Sequence, residues 1–161
     1  MTDEVDVIVE QWRRERPDLD LAAIALLGRM GRLALLLQPA IECVFERHGL
    51  SQGEFDVLAA LRRSGPPYTL TPSGLSTTLM LSRAGMTSRL DRLEAAGLVN
   101  RTMDPADRRS FRVTLTDHGY EVVDDAMTEH TANETELVAS LTPEQRANLD
   151  DALRVLLSTF R

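Results

Sequence analysis

Cysteine occurs once in the 161 residues, at Cys43, which excludes an internal disulfide framework and a thiolate zinc cage. Aromatic side chains make up only 4% of the chain, while hydrophobic residues make up 43%. Long helices rich in Leu and Ala produce that balance; a β-sandwich draws on more aromatic and β-branched residues. No apolar run reaches the roughly 18 residues of a membrane-spanning helix, so no membrane partner is expected. The opening Met1-Thr2-Asp3-Glu4 is acidic, with no basic or apolar leader, so no secretory signal is expected and a cytoplasmic protein fits. Internal repeats, low-complexity tracts and long linkers are also missing. Lysine is absent altogether: all 18 basic residues are arginine, whose planar fork suits bidentate contacts to phosphates and base edges.

The net charge is −7, which argues at first sight against a polyanionic partner. The distribution of charge argues otherwise. From Ser82 to Arg112 there are seven arginines (Arg83, Arg89, Arg92, Arg101, Arg108, Arg109, Arg112) and four acids (Asp91, Glu94, Asp104, Asp107). That segment carries +3 and the remainder −10. A basic segment on an acidic body can bind a polyanion locally while the body discourages indiscriminate sticking.

Periodicity and caps divide the chain. Glu4–Arg16 reads as a helix with Val5, Ile8, Val9 and Trp12 on one side, broken at Arg16-Pro17. Asp18 or Asp20 can cap a long helix ending near His48-Gly49. Its apolar residues, from Leu21 through Leu33 and Leu37 to Phe45, are too many for a narrow stripe, so burial on more than one side is expected. Ser51-Gln52-Gly53-Glu54 is a capping-box pattern opening a helix through Phe55, Leu58 and Leu61 to about Arg63. Ser64-Gly65-Pro66-Pro67 ends it, and Tyr68-Thr69-Leu70 can add a short strand. Thr71-Pro72 opens a helix of about two turns. Ser82 caps the next, which runs to Ala96 and stops at Gly97. Leu98–Met103 and Ser110–Leu115 alternate as the strands of a hairpin with Asp104-Pro105-Ala106-Asp107-Arg108-Arg109 at its tip. Thr116 caps a long helix to about Ser140. Thr142-Pro143-Glu144-Gln145 starts the last, with Leu149, Leu153, Leu156 and Phe160 at helical spacing.

A helix pair followed by an arginine-tipped hairpin is the layout of a winged helix-turn-helix, in which a helix lies in the major groove of DNA and the tip reaches an adjacent minor groove. If Met86, Leu90 and Leu93 form the buried stripe of the Ser82–Ala96 helix, then Ala84, Ser88 and Arg92 point away from the core, with Gly85 and Thr87 on the flanks. Such small, hydroxylated residues let a helix sit deep in a groove. Arg83 is placed for a base edge or a phosphate, and the N–H groups after Ser82 favour a phosphate. The candidate DNA contacts are therefore Ser82, Arg83, Thr87, Ser88, Arg92, Arg108 and Arg109. Arg89 falls near the core boundary, where it needs a partner; Asp56 on the preceding amphipathic helix can supply one. The amphipathic ends, Val5–Trp12 and Leu149–Phe160, have no obvious place to bury their apolar faces within one subunit and suit a dimer interface.

Three stretches carry a family resemblance. They are Arg89-Leu90-Asp91-Arg92-Leu93-Glu94-Ala95-Ala96-Gly97-Leu98-Val99, then Asp107-Arg108-Arg109, then Leu115-Thr116-Asp117-His118-Gly119. The chain resembles the MarR family of bacterial transcriptional regulators along nearly its whole length. The resemblance implies a mainly α fold of six to seven helices with a small β-hairpin wing. It also implies a homodimer that binds double-stranded DNA at a pseudo-palindromic operator and usually represses. On that pattern Asp107 braces the wing and Arg109 enters the minor groove. The helix carrying Trp12 resembles the addition found in the branch responsive to urate and related anions. There a tryptophan, an aspartate and a recognition-helix arginine meet the ligand, at positions matching Trp12, Asp56 and Arg89. Ser64 stands where that branch carries asparagine. An anion competing for Arg89 would shift the helix and weaken DNA binding. Arg89–Asp56 as a structural ion pair, with Trp12 as a packing aromatic, is the alternative.

The regions expected are 1–48 for dimerisation and ligand contact, 49–115 for DNA binding, and 116–161 for dimerisation. Cys43 is expected to be a buried small hydrophobe. His48, His118 and His130 lack metal-site spacing, and there is no nucleophile elbow, phosphate loop or paired-carboxylate motif, so neither a cofactor nor an enzyme is expected. A winged-helix module that binds protein instead of DNA, and a DNA binder with no ligand, are the rival readings.

Overall fold

Local capping chemistry sets most of the helix boundaries. The computed structural model describes residues 2–79, 83–104 and 111–160, with 83 and 84 described by backbone alone. Helix α1 (Glu4–Glu15) starts on a reciprocal cap, in which Asp6 N donates to Asp3 Oδ1 at 2.9 Å and Asp3 N to Asp6 Oδ2 at 3.0 Å. Asp20 rather than Asp18 caps α2 (Ala22–Arg47), accepting from Ala22 N at 3.0 Å, while Asp18 pairs with Arg16. The boxes at Ser51/Glu54 and Thr142/Gln145 start α3 (Gln52–Arg63) and α7 (Pro143–Ser158). Thr71 accepts from Gly74 N at the start of α4 (Pro72–Leu79). Helix α5 (Arg83–Ala95) follows, then strands β2 (Val99–Met103) and β3 (Phe111–Leu115). Strand β1 (Thr69–Leu70) completes an antiparallel sheet of order β1-β3-β2, with Thr69 opposite Thr114 and Val99 opposite Leu115. Thr116 caps α6 (Asp117–Leu137).

The chain divides into two compact units, Met1–Ala40 and Ile41–Arg161. In the first, Val5 and Val9 are buried with Leu21 beside Ala25. Arg29 Nε donates to Asp3 Oδ2 at 2.6 Å and also reaches Asp6, while Arg32 pairs with Glu4. Part of the α1 face expected to need a second subunit is therefore covered at home; Ile8 and Trp12 stay exposed. The expectation for α2 is also corrected. Ile24, Leu27, Leu33, Leu35 and Leu36 are exposed in the single chain, not buried on several sides. By length and composition alone α2 is apolar enough to cross a bilayer, but Arg29 and Arg32 interrupt it, each paired with acids of α1.

In the second unit α3 is central and buries Phe55, Val57, Leu58, Ala60 and Leu61. Phe45 stacks on Phe55 with ring centroids 4.2 Å apart, and Leu75, Met86, Leu90, Leu93, Val99, Val113 and Val123 complete the core. Cys43 is exposed, contrary to expectation: Val44 and Phe45 take the core-facing positions, and Cys43 lies about 200° round the helix from Phe45, on the far side. No residue of α7 is buried; Leu149, Val155, Leu157 and Phe160 are exposed.

Gly119 fixes where α6 begins. A Cβ there would lie 2.0 Å from the Leu98 carbonyl oxygen, which already accepts from Thr116 N at 3.1 Å. Because backbone cannot swing aside as a side chain can, Gly119→Ala should destabilise the fold by about 1–3 kcal/mol. Its urea midpoint should fall at unchanged m-value.

Candidate nucleic-acid interface

The α5 helix is held from below and open above. Met86, Leu90 and Leu93 are buried, as the helical wheel predicts, and Thr87, Ser88 and Arg92 lie on the exposed side. A Schellman ending stops the helix: Gly97, at φ +70°, donates its N–H to Glu94 O, and Leu98 N donates to Leu93 O, both at 2.9 Å. Arg83 begins the helix. Ser82, Asp107, Arg108 and Arg109 lie outside the described residues.

Several arginines of the basic segment are neutralised where they stand. Arg101 on β2 pairs with Asp91 at 2.8 Å and with Glu94, tying the hairpin to α5. The Arg101 guanidinium holds the Glu94 carboxyl below its usual range. Arg112 Nε donates to Asp104 Oδ2 at 3.0 Å at the base of the hairpin. Arg92 Nε donates to Glu54 Oε1 at 2.5 Å and its Nη1 to Ser88 Oγ at 3.0 Å. Glu54 also accepts from Ser51 N at 2.8 Å and Ser51 Oγ at 2.7 Å. Burial pushes the Glu54 carboxyl up, but Arg92 and Ser51 outweigh it and hold it below its ordinary value.

Arg89 and Asp56 share one neighbourhood without a direct hydrogen bond. The Arg89 guanidinium lies over Gly53, where a Cβ would come within 2.3 Å of Nε. Its Nη1 is buried with no hydrogen-bond partner. Burial raises the half-buried Asp56 carboxyl above its ordinary value, opposed by the charges of Arg89, Arg63 and His130. An orphaned guanidinium nitrogen beside a carboxyl is a donor set that fits an anion also able to donate a hydrogen bond. Trp12 is exposed on α1, in the first unit.

Sequence reasoning missed Glu54, Gly53, Arg63 and His130. The Ser51–Glu54 spacing marks a cap and nothing more, and Gly53 reads as an ordinary first-turn residue. His130 packs against the stacked rings of Phe45 and Phe55, at 4.9 and 5.5 Å, an environment no local pattern announces. Among the described residues, no cluster of His, Cys, Asp and Glu could hold a metal ion.

A helix pair with a polar outward face, backed by a small sheet and flanked by long helices, defines a winged helix-turn-helix protein. Residues 48–110 match the MarR family. The HTH-type transcriptional regulator PecS of Dickeya dadantii is 42% identical over 146 residues, 91% of this chain and 88% of that one. YkoM of Bacillus subtilis, an HTH-type transcriptional regulator, is 32% identical over 70% of this chain and 68% of its own. Sco3205, a MarR family regulator of Streptomyces coelicolor solved with DNA, superposes with a TM-score of 0.78 at 26% identity, over 88% of this chain and 89% of that one. A cysteine-to-serine mutant of MarR from E. coli, solved with operator DNA, gives 0.73 at 25% identity, over 85% and 97%. The chain belongs to the MarR family of transcriptional regulators.

The raised Asp56 value has a consequence for stability. A carboxyl that binds its proton more readily in the native state favours folding below its unfolded value, and that contribution is lost as pH rises through the folded one. Asp56→Asn should therefore raise the urea midpoint at pH 7, and the gain should shrink toward pH 4.

Proposed function

We propose that this chain is a homodimeric repressor that binds a pseudo-palindromic operator and is released by a small anionic, aromatic ligand. The observation that carries the DNA reading is the one-sided burial of α5, which leaves Thr87, Ser88 and Arg92 facing outward on a helix anchored by Met86, Leu90 and Leu93. In this reading Arg83 and Ser82 meet a phosphate or base edge at the helix start. Arg108 and Arg109 reach the minor groove from a wing braced by Asp107. A dimer follows from the exposed apolar residues of α2 and α7, which need a partner surface. Two subunits place two recognition helices at successive major grooves, about 34 Å apart. Residues 1–48 and 116–161 then serve dimerisation and 49–115 DNA binding.

The ligand reading rests on the unpartnered Arg89 Nη1 near Asp56. An anion satisfying that nitrogen draws on a side chain of the recognition helix itself, which couples ligand occupancy to DNA affinity.

Affinity for the DNA upstream of the chain's own gene should fall steeply with salt, by about 0.9 in log K per log salt for each phosphate neutralised. Arg109→Ala, twice present in a dimer, should flatten that slope by about 2. Flat salt dependence in the parent protein sinks the DNA reading. Titrating urate and other anionic aromatics into the complex should release DNA from the parent protein but not from Arg89→Ala. Release that survives the substitution removes Arg89 from the switch.

A further inference from the structure

We infer that Glu54 is a specificity-determining residue that acts through Arg92: its carboxylate presets the arginine against Ser88 on the outward face of α5 and cancels its charge toward phosphates. The inference rests on the DNA-binding reading above. Glu54 is the N3 residue of α3, anchored by the N–H and hydroxyl of Ser51, and its side chain is only 11% exposed. It is therefore fixed before any DNA arrives. Arg92 is 57% exposed, yet it is held at Nε by Glu54 and at Nη1 by Ser88. A long side chain clamped at two points loses little freedom when it meets a base edge, whereas a free one must be ordered on contact. The same carboxylate offsets the attraction of Arg92 for any phosphate, which is the sequence-independent part of binding. Held this way, Arg92 contributes more to the right sequence than to random DNA.

Glu54→Gln keeps an oxygen for the Ser51 cap and removes the charge. It should steepen the salt slope on random DNA by about 2 for a dimer, one released arginine per subunit. It should also lower the ratio of operator to random-DNA affinity about tenfold. In an Arg92→Ala background the same substitution should be silent. Arg92→Lys tests the idea without touching α3: charge is kept but the two-point clamp is lost, so the ratio of operator to random-DNA affinity should fall. A Glu54→Gln protein folded by its urea transition, with unchanged slope and ratio, overturns the inference, as does an effect that persists undiminished without Arg92. If Glu54→Gln does not fold, Arg92→Lys with an unchanged ratio overturns it alone. A parent protein with no salt-dependent DNA binding overturns the proposed function along with it.

Discussion

A helix that is to enter a groove of DNA has to be gripped from one side only, and α5 meets that constraint through Met86, Leu90 and Leu93. These side chains are almost wholly buried in a core centred on α3, while Thr87, Ser88, Asp91 and Arg92 are exposed on the other side. Rigid support and steric access oppose each other on a thin helix. Here they are reconciled by confining apolar bulk to a narrow stripe. The Schellman ending at Gly97 and the docking of Gly119 on Leu98 then fix the helix end and the wing strands against the start of α6.

Charge is arranged on the same principle. The basic segment is not a uniform patch, because Arg92, Arg101 and Arg112 each have an acid beside them. Arg101 and Arg112 commit their charge to geometry, joining β2 to α5 and closing the base of the hairpin. Arg89 differs: burial without a partner for Nη1 leaves an unmet hydrogen-bonding demand next to a carboxyl that burial disfavours. Unmet demands of this kind are costly in a folded chain and are a sound place to look for a ligand.

Most element boundaries were legible in the chain. Asp3, Asp20, Ser51, Thr71, Thr116 and Thr142 all accept backbone N–H groups at helix starts, because capping is decided within three or four residues. The mismatches arise where periodicity alone was the guide. Cys43 sits in an apolar stretch but one step round the helix from the buried pair Val44 and Phe45. Val5 and Val9 find cover on Leu21, which a wheel of α1 cannot show. The length of apolar sequence in α2 predicts burial somewhere, but not that the single chain leaves it undone.

The order of residues was enough to settle the helices, their caps, the glycine stops and the buried stripe of α5, since each depends on neighbours within about one helical turn. Which charges meet was settled by packing in three dimensions. Glu54 and Arg92 are 38 positions apart, and the Arg89 guanidinium rests on a glycine of a different helix. Such encounters depend on how α3 and α5 pack, and packing is set by the whole core at once. A local pattern names the participants but not their partners.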